Sequence, residues 1–166
     1  AQKMIVRPAT ADDAVQIAHI YNHYIATSHA TFELEPVDGD EMLRRLRTAW
    51  EADYPFLVFD SAGYLGGYAF GAKFFEGQAF GGSVNTAIYV RPGKDGMGIG
   101  TALYEQLLAE VRSRNFESAI AAISLPNDAC VHLHEKCGFE KAAHLRNVAA
   151  KFDRMFDIGY WQLMLR

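Results

Sequence analysis

Cysteine is scarce in this chain of 166 residues, which contains only Cys130 and Cys137. They lie in a segment with helical spacing, where two turns of helix would separate their Cα atoms by about 10 Å. That distance is too long for a disulfide bridge, and two cysteines are too few for a cysteine-based zinc site. We therefore expect reduced thiols, a cytoplasmic protein and no bound metal ion.

Long apolar runs are absent as well, and so is an excess of positive charge. No stretch approaches the roughly 18 to 20 apolar residues of a membrane-spanning helix, and the first residues carry charge early, unlike a secretory signal peptide. The chain has 16 basic and 20 acidic residues, a net charge of −4, whereas nucleic-acid-binding domains are normally basic. The sequence thus predicts neither a membrane nor a nucleic-acid partner.

The composition that remains is typical of a globular protein. Half of the residues are hydrophobic and 22% are charged, which argues against disorder and against a coiled coil. The length suits a single domain with one sizeable core, and neither an internal repeat nor a linker interrupts it. We therefore expect one domain over residues 1–166.

Hydrophobic periodicity predicts seven strands and four helices. In the first helix, Thr10 stands where an N-cap residue is preferred, and Ala14, Ile17 and Tyr21 follow at helical spacing. The order of strands and helices favours an α/β sandwich around a mixed sheet. The predicted strands are residues 4–6, 56–59, 64–74, 84–90, 119–123, 139–145 and 158–165, and the predicted helices are residues 10–25, 38–50, 101–114 and 128–137.

A glycine-rich turn, here called the glycine loop (residues 93–100), connects a predicted strand to a predicted helix and has glycines at positions 93, 96, 98 and 100. Such a loop can expose the N–H groups of a helix start to a phosphate, although a tight turn without a ligand is the plainer interpretation. A nucleotide P-loop is excluded because Ile99 and Gly100 follow Gly98, where that motif needs Lys and Ser or Thr. A dinucleotide fingerprint is disfavoured because the loop lies mid-chain with a different glycine spacing.

The glycine loop resembles motif A of GNAT-type N-acetyltransferases, whose usual form is Gln/Arg-x-x-Gly-x-Gly/Ala. Residues 95–100 match it, except that Asp95 replaces the usual Gln or Arg. Residues 127–139 resemble motif B of the same superfamily, Asn-x-x-Ala/Ser-x-x-Leu-Tyr-x-x-x-Gly-Phe, at the expected separation. Two independent motifs in this order make a specific signal.

Within that superfamily, the chain is most similar to phosphinothricin acetyltransferases over almost its whole length. The segments that carry this resemblance are residues 20–22, 32–36, 121–128, 134–135 and 157–163. The resemblance implies an α/β (α+β) fold with a mixed, mostly antiparallel sheet and helices on both faces. It also implies a homodimer that transfers the acetyl group of acetyl-CoA to a small primary amine, such as phosphinothricin or methionine sulfoximine.

The same resemblance assigns residues to the cofactor. Backbone groups of Ile88, Tyr89 and Val90 are expected to pair with the pantetheine arm where the sheet splays, and to polarise the thioester carbonyl. Asn127 is expected to hydrogen-bond the same arm, although a helix-capping role is the plainer interpretation. The pyrophosphate is expected to lie against the backbone of Gly96, Met97, Gly98, Ile99, Gly100 and Thr101.

His134 occupies the position at which many GNAT enzymes carry a Tyr general acid and phosphinothricin acetyltransferases carry His. Imidazole can give or take a proton near neutral pH, but a His on a short helix is more often a surface or capping residue. Four other histidines have no comparable support from a motif: His19, His23, His29 and His144.

Asn85 stands where the family carries the Glu that is its candidate base toward the amine. An amide cannot accept a proton at neutral pH, although it can orient a water or the ammonium group. The proton therefore passes to His134, to a chain of waters, or to a carboxylate of the loop at residues 31–35. Glu33 and Glu35 are the candidates there, and solvated surface charges are their plainer interpretation.

The acceptor pocket also departs from the family, because residues 73–82 lack the Arg that suits a carboxylate or phosphinate. Lys73 could supply charge but not a bidentate fork. Three phenylalanines in this loop, one of them Phe75, favour a more apolar acceptor, although they could also be core or dimer contacts. We expect Phe32, Glu33 and Phe75 to contact the acceptor. A peptide or protein amine as acceptor and a non-catalytic acyl-CoA-binding module remain the alternative functions.

Overall fold

A seven-stranded sheet organises the part of the chain that the computed structural model describes, residues 3–166. The strands are β1 (Met4–Pro8), β2 (Phe56–Ser61), β3 (Tyr64–Lys73), β4 (Ser83–Val90), β5 (Ser118–Leu125), β6 (Glu140–Lys151) and β7 (Arg154–Met164). The helices are α1 (Ala14–Thr27), α2 (Gly39–Glu51), α3 (Ile99–Ser113) and α4 (Asp128–Lys136), with short 3-10 turns at Ala11–Asp13 and Gln78–Phe80. Their order along the chain confirms the predicted order.

The strands lie in the order β1-β2-β3-β4-β5-β7-β6, and every neighbouring pair is antiparallel except β4 and β5. Successive side chains of a strand point to opposite faces, and β2 shows how this divides the core. Phe56 and Val58 pack with α1 and α2 on one face, whereas Leu57 packs with α3 on the other. The mixed, mostly antiparallel sheet with helices on both faces is thus confirmed.

The last two strands are longer than their predicted ranges and form a hairpin. Phe152 and Asp153 make its turn with φ values of 53° and 57°, which is the left-handed pair that a two-residue hairpin turn needs. Apart from Lys151, every residue of β6 is exposed or half-exposed, because β6 lies at the edge of the sheet. An edge strand without a buried face has no apolar alternation, so its full length could not be predicted.

The sheet splits between its two parallel strands. Pairing of β4 with β5 covers only Ser83 with Ser118, Val84 with Ala119, and Asn85 with Ile120. Beyond Asn85 the two strands diverge, and the rest of β4 faces a gap. This is the position at which Ile88 to Val90 are expected to receive the cofactor.

Within residues 3–166 no helix has the length and apolar character needed to cross a membrane.

Candidate active site

The gap between β4 and β5 is a cleft of about 420 Å³. Its walls are the second half of β4, the second half of β5, the start of α4, and residues 28–30 after α1. Of the residues expected at the cofactor and the chemistry, this cleft brings together Ile88, Tyr89, Val90, Asn127 and His134.

Backbone donors of β4 point into this cleft. The N–H of Arg91 donates to the carbonyl oxygen of Gly66 beside β3, at 2.8 Å. Because the hydrogen-bonding direction alternates along an extended strand, the N–H groups of Val90 and Ile88 face away from β3, toward the gap. The hydroxyl of Tyr24 donates to the Val90 carbonyl oxygen and helps hold this strand end. These N–H groups are placed to pair with a pantetheine amide and to polarise a thioester carbonyl.

The glycine loop ends in a helix start with unpaired donors. Gly98 is the N-cap of α3 with a φ of 78°, and Ala102 is the first residue whose N–H reaches back to it, at 3.0 Å from the Gly98 oxygen. The preceding N–H groups of Ile99, Gly100 and Thr101 therefore have no partner within the helix. With the helix dipole behind them, they suit a pyrophosphate. The helix begins two residues earlier than predicted.

Side chains of the glycine loop have different environments. Met97 is 66% exposed, whereas the Ile99 side chain is buried in the core, so only its backbone can face a ligand. A Cβ on Gly100 would lie 3.0 Å from Leu133 Cδ2 on α4, which means that this glycine serves helix packing. The exposed carboxylate of Asp95 borders the cleft. It therefore adds a negative charge to a site whose other features suit an anion.

Asn127 has the capping role that the plainer interpretation predicted, and it also lines the cleft. Its Oδ1 accepts a hydrogen bond from the Cys130 N–H at 3.2 Å and so caps α4. The side-chain amide of Asn127 still has its N–H donors for a ligand. Capping and cofactor binding are therefore compatible at this residue.

His134 is buried, so the interpretation as a surface residue is wrong. Its Nδ1–H donates to the Cys130 carbonyl oxygen at 2.7 Å, which leaves Nε2 to accept from the Tyr104 hydroxyl at 2.6 Å. The Tyr104 oxygen lies 2.9 Å from the hydroxyl of Thr86, which borders the cleft. Burial lowers the pKa of His134, so the imidazole is neutral at neutral pH. Both ring nitrogens are occupied, so His134 lines the cleft without a free nitrogen, and its hydrogen bonds extend to the cleft edge through Tyr104 and Thr86.

The carboxylate candidates lie away from the cleft lining. Glu33 is in an ion pair with Arg45 at 2.7 Å, and it also accepts a hydrogen bond from the Tyr21 hydroxyl. Hydrogen bonds from Arg45 hold the pKa of Glu33 below its usual value. Glu33 is thus a partnered charge rather than a solvated one, and Glu35 is exposed. The structure brings neither carboxylate to the residues that line the cleft.

Asn85 and the two aromatic candidates also lie outside the cleft lining. The Asn85 side chain donates to the Lys73 carbonyl oxygen at 3.1 Å and stands on the same face of β4 as Tyr89. Phe32 packs near Phe156, with ring centroids 6.1 Å apart. Phe75 is 57% exposed within the phenylalanine cluster of its own loop. An acceptor that touches them would extend beyond the cleft itself.

A second cavity of about 400 Å³ lies on the α1 and α2 face of the sheet and shares Tyr89 with the cleft. Its floor is aromatic, because Tyr68 and Phe70 of β3 lie beside Tyr89 and Ala87 of β4 as cross-strand partners. Neighbouring strands are about 4.8 Å apart, so this floor adjoins the face of β4 that carries Asn85. Its mostly apolar lining was not expected from the sequence, since its walls come from α1, α2, β2, β3 and β4.

Sequence patterns did not indicate two further residues of the site. Tyr104 lies among the buried residues of α3 and connects His134 to Thr86 at the edge of the cleft. His29, for which the sequence offers no support, lines the cleft beside Pro126. Neither residue belongs to a motif, and only the folded chain brings them to Thr86, Ser124 and the other cleft residues.

The fold, the gap between β4 and β5 and the helix start at Gly98 suit a protein that binds an acylated cofactor, and the comparisons with known proteins agree with this class. The family model described as "Acetyltransferase (GNAT) domain" matches residues 6–159. The phosphinothricin N-acetyltransferase of Streptomyces viridochromogenes is 35% identical over 95% of this chain and 85% of its own length. The L-methionine sulfoximine/L-methionine sulfone acetyltransferase of Salmonella typhimurium is 33% identical over 98% of this chain and 95% of its own length.

Structural comparison agrees with the sequence relatives. A GNAT superfamily phosphinothricin acetyltransferase from Sinorhizobium meliloti, solved in complex with acetyl-CoA, superposes with a TM-score of 0.93 at 30% sequence identity. The match covers 97% of this chain and 88% of that one. The chain belongs to the GNAT acetyltransferase family, as the two motifs implied, and it is an N-acetyltransferase.

Proposed function

We propose that this protein moves the acetyl group of acetyl-CoA to the primary amine of a small molecule. The observation that carries this proposal is the cleft itself. Backbone donors of Ile88 and Val90 face the gap, and the unpartnered N–H groups at the start of α3 lie at the end of the glycine loop. A pantetheine arm in the gap and a pyrophosphate on the helix start satisfy both sets of donors.

In the reaction, the amine nitrogen forms a bond to the thioester carbonyl carbon, and the carbon–sulfur bond then breaks. The N–H of Ile88 stabilises the negative charge that develops on the carbonyl oxygen. The ammonium form of the acceptor has three protons and the amide product has one, so two protons must leave the nitrogen. One passes to the departing thiolate, and the other passes to a base and then to solvent.

We assign His134 to the thiolate side of the reaction. Its Nε2 accepts from the Tyr104 hydroxyl, and the Tyr104 oxygen then accepts from the Thr86 hydroxyl, so His134 orients these two hydroxyls beside the cleft. The proton of the departing thiolate comes from the amine nitrogen and not from His134. Asn85 takes the acceptor side, where its amide can orient a water or the ammonium group. Phe32, Glu33 and Phe75 would contact only those parts of an acceptor that extend beyond the cleft.

The acceptor is proposed to carry a larger apolar body than phosphinothricin. The relatives named above act on amino-acid-like inhibitors, but residues 73–82 of this chain have no Arg to hold a phosphinate. The second cavity offers an apolar floor of Tyr68 and Phe70 next to the β4 face that the amine approaches. An amine with an aromatic or branched aliphatic group fits this arrangement.

We further propose that residues 1–166 act as one acetyltransferase domain in a cytoplasmic homodimer. The two cysteines are unpaired, which suits a reducing compartment. The edge strand β6 is exposed or half-exposed at every residue before Lys151. It includes Leu145 and Val148 at 43% and 47% exposure, and a second copy could cover this surface.

The first experiment is to measure free thiol release from acetyl-CoA with a panel of amines. The panel holds phosphinothricin, methionine sulfoximine and amino acids with small, branched and aromatic side chains, and a reaction without amine reports hydrolysis. Turnover that is fastest with large apolar amines supports the proposal. Turnover with phosphinothricin alone would keep the reaction and overturn the apolar acceptor. Binding of acetyl-CoA without any turnover would favour a non-catalytic acyl-CoA-binding module. Two departures from the family pattern agree with that alternative: the amide at Asn85 and the carboxylate of Asp95.

A further inference from the structure

A histidine outside the assigned machinery lies in the cleft with one ring nitrogen unused. His29 follows α1, and its Nε2 lies 2.7 Å from the Pro126 carbonyl oxygen. A carbonyl oxygen can only accept, so Nε2 carries the proton and Nδ1 carries a lone pair. Nδ1 has no hydrogen-bond partner among the residues that the structure describes.

The His29 ring is held in place without any use of Nδ1. It stacks on Phe156 with centroids 4.4 Å apart and planes 11° apart, and the Ser124 hydroxyl donates to the His29 carbonyl oxygen. The buried ammonium of Lys151 donates to the carbonyl oxygens of Ser28 and Thr31, on either side of His29, at 2.7 Å each. A base that is fixed by its neighbours in this way is preorganised for proton transfer.

His29 also lies at the same height along the strands as Tyr89, in the part of β4 that faces the gap. Asn85 of β4 pairs with Ile120 of β5, and four residues further along each strand are Tyr89 and Ser124, which therefore lie at the same height in the cleft. The Ser124 hydroxyl donates a hydrogen bond to the His29 carbonyl oxygen, which places His29 at that height as well. The ring comes from the loop after α1, on the α1 face of the sheet, where the Tyr89 hydroxyl lies 3.5 Å from the carbonyl oxygen of the neighbouring Ala30. It is therefore opposite the face on which Tyr104 and His134 stand.

The other candidates for the base are less suited to this step. The nitrogens of His134 are both occupied, and the amide of Asn85 cannot take a proton. Glu33 is neutralised by Arg45 and lies outside the cleft lining. Among the histidines, aspartates and glutamates of the cleft lining, only His29 combines a free lone pair with a fixed ring, since Asp95 is at the glycine loop.

We infer that His29 is the catalytic base toward the acceptor, an inference that rests on the proposed function. Its Nδ1 takes one proton from the ammonium group, directly or through one water, and the neutral amine then attacks the thioester carbon. The imidazolium formed at His29 returns its proton to solvent after the carbon–sulfur bond has broken. The second nitrogen proton goes to the thiolate, so charge and protons balance over the cycle.

The test compares two variants of His29 with a control. In His29→Gln the side-chain amide keeps a donor for the Pro126 oxygen but cannot take a proton, and His29→Ala leaves room for added imidazole. His19→Gln is the matched control, because His19 is an exposed residue of α1 outside the cleft lining. For each protein, kcat/KM is measured for the best amine of the panel, together with the Kd for acetyl-CoA as a check of folding.

We expect His29→Gln to lose about 100-fold in kcat/KM for the amine, the usual size of a general-base contribution, with little change in the Kd for acetyl-CoA. Imidazole should restore part of the activity of His29→Ala and none to His29→Gln, and His19→Gln should match the wild type. An active wild type with an equally active His29→Gln would overturn this inference alone. A wild type that binds acetyl-CoA and acetylates no amine would overturn the proposed function and this inference with it.

Discussion

At Gly98 one backbone angle determines how the glycine loop enters α3. Its φ of 78° lies in the left-handed region, which a residue with a Cβ adopts only at a cost of roughly 1–2 kcal/mol. The replacement Gly98→Val would therefore disturb the N–H groups that we propose receive the pyrophosphate. We expect the KM for acetyl-CoA to rise about tenfold, equivalent to roughly 1.4 kcal/mol of binding.

The control for this prediction is Gly63→Val. Gly63 has a φ of 88° in the turn between β2 and β3, and a Cβ there, as at Gly98, would have no atom within 4 Å. Both variants should lose similar stability in urea unfolding, but only Gly98→Val should change the KM. An unchanged KM in a folded Gly98→Val protein would contradict the assignment of the glycine loop.

The carboxylate of Asp95 borders the cleft where the family usually carries Gln or Arg. In Asp95→Asn this negative charge is removed, so acetyl-CoA should bind two- to fivefold more tightly, about 0.5–1 kcal/mol for an exposed charge. Isothermal titration at low and high salt would measure the change. The gain should shrink at high salt, and Asp12→Asn, an exposed aspartate outside the cleft lining, should show none. A gain that is equal for both variants would rule out a local effect.

At the scale of elements, two hydrogen bonds connect β4, α3 and α4. One joins Thr86 to Tyr104, and the other joins Tyr104 to His134. Burial lowers the pKa of His134, while the unfolded chain binds a proton there with the ordinary pKa of about 6.5. Below that pH the unfolded state binds a proton at His134, whereas the folded state, with its lowered pKa, does not. The stability that His134 contributes is therefore complete above about pH 6.5 and is lost as the pH falls toward its lowered folded value.

Urea unfolding between pH 5 and pH 8 checks this prediction when the wild type is compared with His134→Gln. The two proteins differ only at residue 134, so the difference between the two curves isolates the contribution of His134. The wild type should lose more free energy of unfolding on acidification than the variant does. Parallel curves would show that His134 is not held neutral in the folded state.

Helix α2 forms one wall of the second cavity, and Ala49 of this helix lines the cavity. The larger side chain of Ala49→Leu should fill part of the space over the aromatic floor. We expect KM to rise several-fold for amines with aromatic side chains and to stay the same for small amines and for acetyl-CoA. Ala109→Leu, at an exposed position of α3 on the other face, is the control. Equal KM changes for small and large amines would contradict a role of this cavity in acceptor binding.

At the scale of the whole molecule, the exposed edge strand β6 predicts self-association. Sedimentation velocity should give twice the mass of the chain for the wild type, and Val148→Asp should shift the distribution toward the monomer, because a charge there cannot be buried without a partner. Val15→Asp places a charge at a site that is 70% exposed on α1 and should leave the mass unchanged. A monomeric wild type, or a dimer that Val148→Asp leaves intact, would exclude β6 as the interface.

The order of the seven strands and four helices could be read from the sequence, because apolar periodicity and capping depend on neighbours a few residues away. The same holds for the glycine loop as the connection into α3, although the start of that helix was predicted two residues late, and for Asn127, which caps α4 as its position indicated. The lengths of β6 and β7 could not be predicted, since an exposed edge strand carries no buried alternation. Once β4 was assigned as a strand, Asn85 and Thr86 had to lie on opposite faces of it, because successive side chains of a strand alternate between the two faces.

By itself, then, the sequence determined the class of fold and the family, and it indicated the loop proposed to receive the cofactor, all through local patterns. Only the tertiary structure decided that His134 is buried behind Tyr104, that Glu33 forms an ion pair with Arg45, and that His29 lies in the cleft with a nitrogen that no residue of 3–166 bonds. These contacts join residues 12 to 97 positions apart. Their energies depend on burial and on the divergence of β4 from β5. Neither can be predicted from a local sequence pattern, because both arise from residues that are distant in the chain.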